Sequence, residues 1–354
     1  MKKQKVGIIA KNILNKKRTG IENYTINLLE NFNSNTQYEF IVYTNHPYKN
    51  DKLKNIKFKY LKDQKGWTHR ILPKNIKKDD INILFSPTPT LPISNLKMKK
   101  IVTVHDLSFK YMEKKPINTT KMFIGKSLND ADCIIAVSRY TKKEIEKVFN
   151  INPKKIKVIY EAYDKNIFQI SKKNLKKDGL KIITIGSINR RKNITQIVKT
   201  IPILEEKYEK VTLTIVGDKG DDFDNLIYTI KDFKLENNII ITGYVTNTKL
   251  KRLISESDVL VYPSLEEGFG IPILEGFAMK IPVVTSNNSS MKEIGGKASV
   301  LIDPSSIFDL ASGIIAAIEH KERLINLGSI EIKKYSWEKT ANETLKVFDT
   351  ILNF

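Results

Sequence analysis

"DVLVYPSLEEGFGIPILEGFAMKIPVVTS", Asp258 to Ser286, carries a strand, a loop, a helix and a second strand within 29 residues. "DVLVYPS" is a short, near-continuously apolar run of the kind expected of a strand covered on both faces. "LEEGFG" breaks it, and Pro272 reads as the first position of a helix, where proline is preferred. "IPVVTS" is the next strand. Two glutamates, Glu267 and Glu275, stand in this apolar passage, and carboxylates are seldom buried without a partner. Glu267 falls in the loop and Glu275 about one turn into the helix. Both can point into one cleft while Ile271, Ile273, Leu274 and Phe277 pack. Glu266 is the solvent-facing neighbour.

The same alternation runs through the chain. "KVGIIA", "EFIVYT", "NILFSP", "KIVTVHD" and "DCIIAVS" read as strands in the first half. "KIITIGS", "VTLTIVG", "NIIITG", "DVLVYPS" and "IPVVTS" do so in the second. Helical spacing predicts helices over 21–31, 119–130, 141–149, 193–208 and 248–256. Strand–helix alternation on this scale predicts an α/β fold of two doubly wound parallel sheets. The expected division is an N-terminal domain over 1–163, a charged linker over 164–180, a second domain over 181–334 and a closing amphipathic helix over 335–354.

The 354 residues exceed one ordinary core, which agrees with two domains. Hydrophobic residues at 41% and charged residues at 28% exclude a disordered or fibrous chain. No apolar run is long enough to span a bilayer. The apolar part of "MKKQKVGIIAKN" ends at Lys11, too soon for a signal peptide. A single cysteine, Cys133, fits a reducing cytoplasm. The net charge of +21 points to anionic partners such as a membrane surface or phosphorylated substrates, or to nothing beyond a lysine-rich composition. The basic residues are scattered and no nucleic-acid-binding signature accompanies them, so no nucleic-acid partner is expected.

In open parallel sheets, ligands bind at the carboxyl ends of strands, where helix N-termini point. Four strand-to-helix turns carry chemistry. Gly20 precedes the first helix, allowing close backbone approach. His105 and Asp106 end a strand in "VTVHDLSF". Arg190, Arg191 and Lys192 lie just ahead of a helix start, where cations oppose the helix dipole unless an anion is bound. Gly268 and Gly270 place backbone N–H groups near the helix that carries Glu275. No GxGxxG or Walker-type loop exists, which argues against dinucleotide and P-loop chemistry. The D-x-D strings at 130–132 and 222–224 read as helix-boundary residues, and no metal site is expected.

"EEGFGIPILEGFAMKIPVVTSN" resembles the E-x7-E region of retaining GT-B glycosyltransferases of family 4, the group 1 glycosyltransferases. "TGIENYTINLL", "VTVHDLSF", "IIAVSRYTKKEI", "IGSINRRKN", "ITGYV" and "YSWEKTA" are similar to that family's landmarks, in its order. The resemblance implies two Rossmann-like domains facing across a cleft, the donor mainly on the second, and the C-terminal helix packing back towards the first. It implies transfer of a hexose from a nucleotide-diphosphate sugar, with retention, to a glycan or lipid-linked acceptor in polysaccharide or glycoconjugate synthesis. No cofactor is implied; the nucleotide sugar is the substrate.

By motif, Glu275 would hold the donor ribose and Glu267 the transferred sugar. Gly268, Phe269, Gly270 and Ile271 would line the donor, with the backbone of Phe269 and Gly270 at the sugar and phosphates. Arg191 and Lys192 would neutralise the diphosphate, and the backbone around Tyr244 would receive the base. Gly20 and His105 would come from the first domain, near the phosphates and the reacting sugar. The chain departs from the family at Ser187, where many members carry arginine, and at "EAYD" after the strand "VIY", where "NGVD" is common. "VHDLSF" favours GDP-mannose; UDP- or dTDP-sugars are the alternative, and a sugar epimerase or a non-catalytic sugar-nucleotide sensor stands further off. A cytoplasmic protein, peripheral on the inner face of an anionic membrane, completes the expectation.

Overall fold

The computed structural model describes residues 3–11, 20–107, 117–169 and 179–353, which form two compact units. One comprises 1–161 with 337–354, the other 162–336. Most of the expected linker, residues 170–178, lies outside the described residues, as do Thr19 of "TGIENY" and the last two residues of "VTVHDLSF".

The first unit contains β1 (Gln4–Ile9), α1 (Gly20–Phe32), β2 (Tyr38–Thr44), β3 (Ile56–Tyr60), α2 (Leu72–Asp79) and β4 (Ile83–Ser86). It continues with β5 (Lys99–Val104), α3 (Ile117–Asp130), β6 (Cys133–Ala136), α4 (Arg139–Phe149) and β7 (Ile156–Val158). The second contains β8 (Leu180–Ile185), α5 (Ile194–Glu205), β9 (Val211–Val216), α6 (Phe223–Asp232), β10 (Ile239–Gly243) and α7 (Asn247–Ser255). After these come β11 (Val259–Tyr262), α8 (Ile271–Ala278), β12 (Val283–Ser286), α9 (Ser289–Gly295), β13 (Val300–Ile302), α10 (Ile307–Glu319) and α11 (Lys321–Glu331). The last helix, α12 (Trp337–Leu352), belongs to the first unit.

Among the described residues the first sheet has strand order β3-β2-β1-β4-β5-β6-β7, and the second β10-β9-β8-β11-β12-β13. Neighbouring strands are parallel throughout, for example Val6 opposite Phe40 and Ile83, and Leu260 opposite Ile183 and Val283. The order reverses beside β1 in the first sheet and beside β8 in the second. Those two switch points leave crevices at the carboxyl ends of β1 and β4, and of β8 and β11.

The central strands are apolar on both faces because helices cover both. Ile182, Val259 and Val261 are fully buried with Ile197, Ile201 and Ile314 from α5 and α10. Helix α12 shows an amphipathic stripe in which Trp337, Ala341, Thr344, Phe348 and Ile351 are buried. The Phe348 ring meets Phe32, Tyr38 and Phe85, with centroids 5.6–5.9 Å apart. Thr340 Oγ1 donates to Tyr160 O at 2.7 Å, tying the helix to the strand region at the far end of the first unit's main segment.

Strands β3 and β13 escape the sequence reading, and "VIY" is displaced two residues from β7. All three are sheet edges. "IKFKY" and "IKV" alternate apolar residues with lysines because one face is wet, and the three-residue "VLI" is too short to show a period. Helix α8 begins at Ile271, so Pro272 takes its second position. No helix among the described residues is long and apolar enough to cross a membrane.

Candidate functional site

The crevice beside β8 and β11 gathers most of the charged residues singled out in the sequence. Beyond β8, Arg190–Lys192 form a single 3₁₀ turn, opened by Asn189, whose Oδ1 accepts from Lys192 N at 3.0 Å. Asn193 follows in the left-handed region, φ 57°, and its Nδ2 donates to Pro263 O and Pro304 O at 3.2 and 2.8 Å. That kink separates the basic turn from α5. Leu265 N donates to Arg191 O at 2.8 Å, stitching the turn to the loop after β11.

Glu267 receives both cations, one on each oxygen. Arg191 Nη1 lies 2.6 Å from Oε2, and Lys192 Nζ lies 2.6 Å from Oε1. Arg191 Nη1 also donates to Glu266 O at 2.7 Å. Lys192 Nζ donates to the Tyr262 hydroxyl at 2.6 Å and stands 4.7 Å from that ring's centroid. Glu267 and Tyr262 are buried. Burial alone would raise the Glu267 carboxyl, but Lys192 and Arg191 outweigh it and hold the group at about 2. Burial, with Glu267 nearby, pushes the Tyr262 phenol well up, so it stays protonated.

The loop is fixed from beneath by α9. Ser290 Oγ lies 2.8 Å from both Glu267 O and Phe269 O, and Ser289 Oγ accepts from Glu267 N at 3.2 Å. Gly268 is buried, and the Phe269 ring packs inward, edge-on to Tyr335 at 5.9 Å. Gly270 precedes α8 at φ 108°, a conformation L side chains rarely adopt. Ile271 is half-buried, whereas Ile273, Leu274 and Phe277 are buried.

Glu275 contrasts with Glu267. It is 9% exposed, and its Oε2 is enclosed without a hydrogen-bond partner. Burial pushes its carboxyl up to about 7. A buried, unsatisfied carboxylate is costly, and such groups concentrate where a ligand completes them.

Between the basic turn and Tyr244 the strand ends are floored by glycine. A Cβ on Gly217 would come within 2.0 Å of Gly186 O, so backbones meet there without side chains. Gly217 N donates to Gly243 O at 3.1 Å. Tyr244, 43% exposed, follows directly.

In the first unit Gly20 is the exposed first residue of α1, and the turn before it lies outside the described residues. His105, after β5, has both ring nitrogens engaged: Nδ1 lies 2.7 Å from Glu161 Oε1, and Nε2 lies 2.9 Å from Pro87 O. Asp222 and Asp130 of the D-x-D strings are bonded at element boundaries. Asp222 accepts from Thr195 Oγ1 at 2.7 Å and Asn225 Nδ2 at 2.9 Å, and Asp130 pairs with Lys100 Nζ at 2.8 Å.

Four contributors have no individual mark in the sequence. Tyr262 ends a strand, Ser289 and Ser290 lie beyond the next strand, and Gly217 follows an ordinary strand. Glu161 sits in "EAYD", where only the departure from "NGVD" draws notice.

Two doubly wound sheets with a carboxylate–cation cluster at a strand-order switch define a GT-B glycosyltransferase fold. Residues 18–166 match the family described as Glycosyltransferase Family 4, and residues 166–334 that described as Glycosyl transferases group 1. The chain belongs to the family 4, group 1 glycosyltransferases and is a glycosyltransferase. It is 27% identical over 267 residues to the O-antigen chain mannosyltransferase B of Escherichia coli, a match covering 71% of this chain and 70% of that one. It is 29% identical over 205 residues to the O-antigen chain mannosyltransferase RfbU of Salmonella typhimurium, covering 57% of this chain and 56% of that one, under two thirds of that relative. The crystal structure of Anabaena Alr3699/HepE with UDP and glucose shares the fold, with a TM-score of 0.76, 17% identity and coverage of 98% of this chain and 99% of that one.

Proposed function

We propose that this chain transfers a hexosyl unit, with retention, from a nucleotide-diphosphate sugar to a glycan or lipid-linked acceptor in polysaccharide or glycoconjugate synthesis. The observation that carries the reading is Glu267 clasped by Arg191 and Lys192 at the switch point of the second sheet. GDP-mannose is the favoured donor, on the "VHDLSF" stretch and the similarity to two O-antigen mannosyltransferases. UDP-sugars are the second reading, supported by the UDP and glucose bound to the Anabaena neighbour.

In this reading Arg191 and Lys192 take up the charge of the leaving diphosphate. Each tenfold in rate requires about 1.4 kcal/mol of stabilisation selective for the transition state. The two cations and the N–H groups before α8 supply this without a metal. Glu267 positions the transferred sugar and is no nucleophile, since a carboxylate held at about 2 by two cations is a weak one. Glu275 accepts from the ribose hydroxyls, which satisfies its unpaired oxygen. The backbone of Phe269 and Gly270, with Gly268 and Ile271 beside it, lines sugar and phosphates, and the base lies over the glycine floor towards Tyr244. In the first unit, Gly20 and His105 are the candidate residues. The C1–O bond to the diphosphate breaks, the acceptor oxygen bonds to C1 on the same face, and its proton passes to a donor phosphate oxygen.

A cytoplasmic location with peripheral contact to anionic lipid is part of this proposal, and the charge of +21 would suit it. Thermal shift with GDP-, UDP- and dTDP-sugars tests the donor, because a bound ligand raises stability by mass action. Absence of stabilisation by all three, together with wild-type transfer by Glu267→Ala and Lys192→Ala, would overturn the assignment.

A further inference from the structure

"EAYD" stands where the family commonly has "NGVD", and its first residue, Glu161, is 6% exposed. Its carboxylate oxygen lies 2.7 Å from His105 Nδ1. The other ring nitrogen, Nε2, lies 2.9 Å from the Pro87 carbonyl, which can only accept, so Nε2 carries a hydrogen. Nδ1 therefore either accepts from a protonated Glu161 or donates to an ionised one. Imidazole is the stronger base by roughly two pH units, and a paired ion is far less penalised by burial than an isolated one.

The titratable groups set against the ring come from three directions. Glu161 follows β7, Asp106 adjoins the ring after β5, and Tyr24 on α1 meets it edge-on at 4.7 Å. Tyr24 is buried, its hydroxyl lies 3.3 Å from Thr103 Oγ1, and burial keeps it protonated. Two carboxylates and a neutral phenol thus surround one imidazole. Burial works against the ring's charge, and Glu161, the Pro87 carbonyl and Asp106 more than restore it.

We propose that Glu161 is a positioning residue that locks the His105 ring and keeps it as an imidazolium, so that His105 serves transfer as a fixed charge and never as a base. This rests on the function proposed above. A neutral asparagine, the common residue at this position, would supply no compensating charge. The role assigned to His105 is thereby narrowed: with Nε2 donating to Pro87 and Nδ1 to Glu161, it cannot take the acceptor proton, which goes to the donor phosphate.

The test uses the full chain with ¹⁵N-labelled histidine; its four histidines make the spectra tractable, and His105→Gln assigns the signal. The expected wild-type result is an imidazolium at residue 105 that persists above the pH at which an ordinary histidine, near 6.5, loses its proton. Glu161→Asp keeps that state, and Glu161→Gln loses the ring proton at lower pH than the wild type. With the charge required, sugar transfer by Glu161→Gln falls about tenfold per pH unit once the proton is lost, and it does so at lower pH than in the wild type and Glu161→Asp. A neutral ring in the wild type at pH 7, or a Glu161→Gln loss independent of pH, overturns the inference. Should Glu161→Gln fail to fold, the wild-type ring state and Glu161→Asp still decide it. Nucleoside-diphosphate binding is measured in the same samples; its absence overturns the proposed function, whatever the state of the ring.

Discussion

Glu267 and Glu275 are both buried, yet one carboxyl is held at about 2 and the other pushed up to about 7. The difference is the company each keeps. Glu267 has a guanidinium and an ammonium on its two oxygens, and Glu275 has an oxygen with no partner.

Stability follows from the signs. Glu275 has a folded value above its ordinary 4.5, so the folded state binds its proton more tightly. Its contribution is neutral below about pH 4.5, turns unfavourable as pH rises, and reaches its full penalty above about 7, on the order of 3 kcal/mol. Glu267 runs the other way, stabilising above about pH 4.5 and losing that as pH falls towards 2. Glu275→Gln should match the wild type near pH 4.5 and exceed it at pH 8 in urea unfolding. An equal difference at both pH values would contradict the burial account.

Nucleoside-diphosphate binding should release a proton near neutrality. Ribose hydroxyls donating to Glu275 favour its ionised form and lower its value. Calorimetry at about pH 6.5 in buffers of different ionisation enthalpy reads this directly. The released fraction should vanish in Glu275→Gln; persistence would place the proton elsewhere.

Glu267→Gln leaves Arg191 and Lys192 without their counter-charge. Breaking a buried pair from one side costs about 3–5 kcal/mol, so the melting temperature should drop. Added nucleoside diphosphate should then stabilise the variant more than the wild type, because the two cations no longer have a carboxylate to leave. Transfer should be lost while binding is kept. Weaker binding than wild type would show that Glu267 assists the diphosphate.

Helix α8 is pressed against β12 through Gly276, where a Cβ would approach Val283 Cγ2 to 2.5 Å. Gly276→Ala should cost about 1–3 kcal/mol through overpacking. It should also weaken nucleotide binding, because the shift acts on the preceding residue, Glu275. Unchanged affinity alongside lost stability would separate the helix position from the site.

The apolar central strands and the helices between them were legible because burial on both faces leaves a mark on every residue. Edges β3 and β13 were not, and β7 was displaced by two residues, since one wet face turns "IKFKY" into a mixed pattern and "VLI" is too short to show one. Arg191, Lys192, Glu267 and Glu275 could be picked out because charges in glycine-rich, apolar surroundings contradict their setting. Their pairing could not: nothing local to Glu267 states that both its oxygens are taken, nor that Glu275 keeps one unsatisfied. Tyr262 and Ser290 were hidden because a strand tyrosine or a helix serine is ordinary until the fold brings it to the loop.

Helix α12 makes the first unit discontinuous. The chain leaves it after Glu161 and returns at Trp337, so residues 162–336 are topologically an insertion within another body. The core of that outer body is finished only when Phe348, which follows the inner segment along the chain, fills the space among Phe32, Tyr38 and Phe85. The inner segment is contiguous and can be excised as one piece. The outer one, cut at 161, would have a hole where Phe348 belongs.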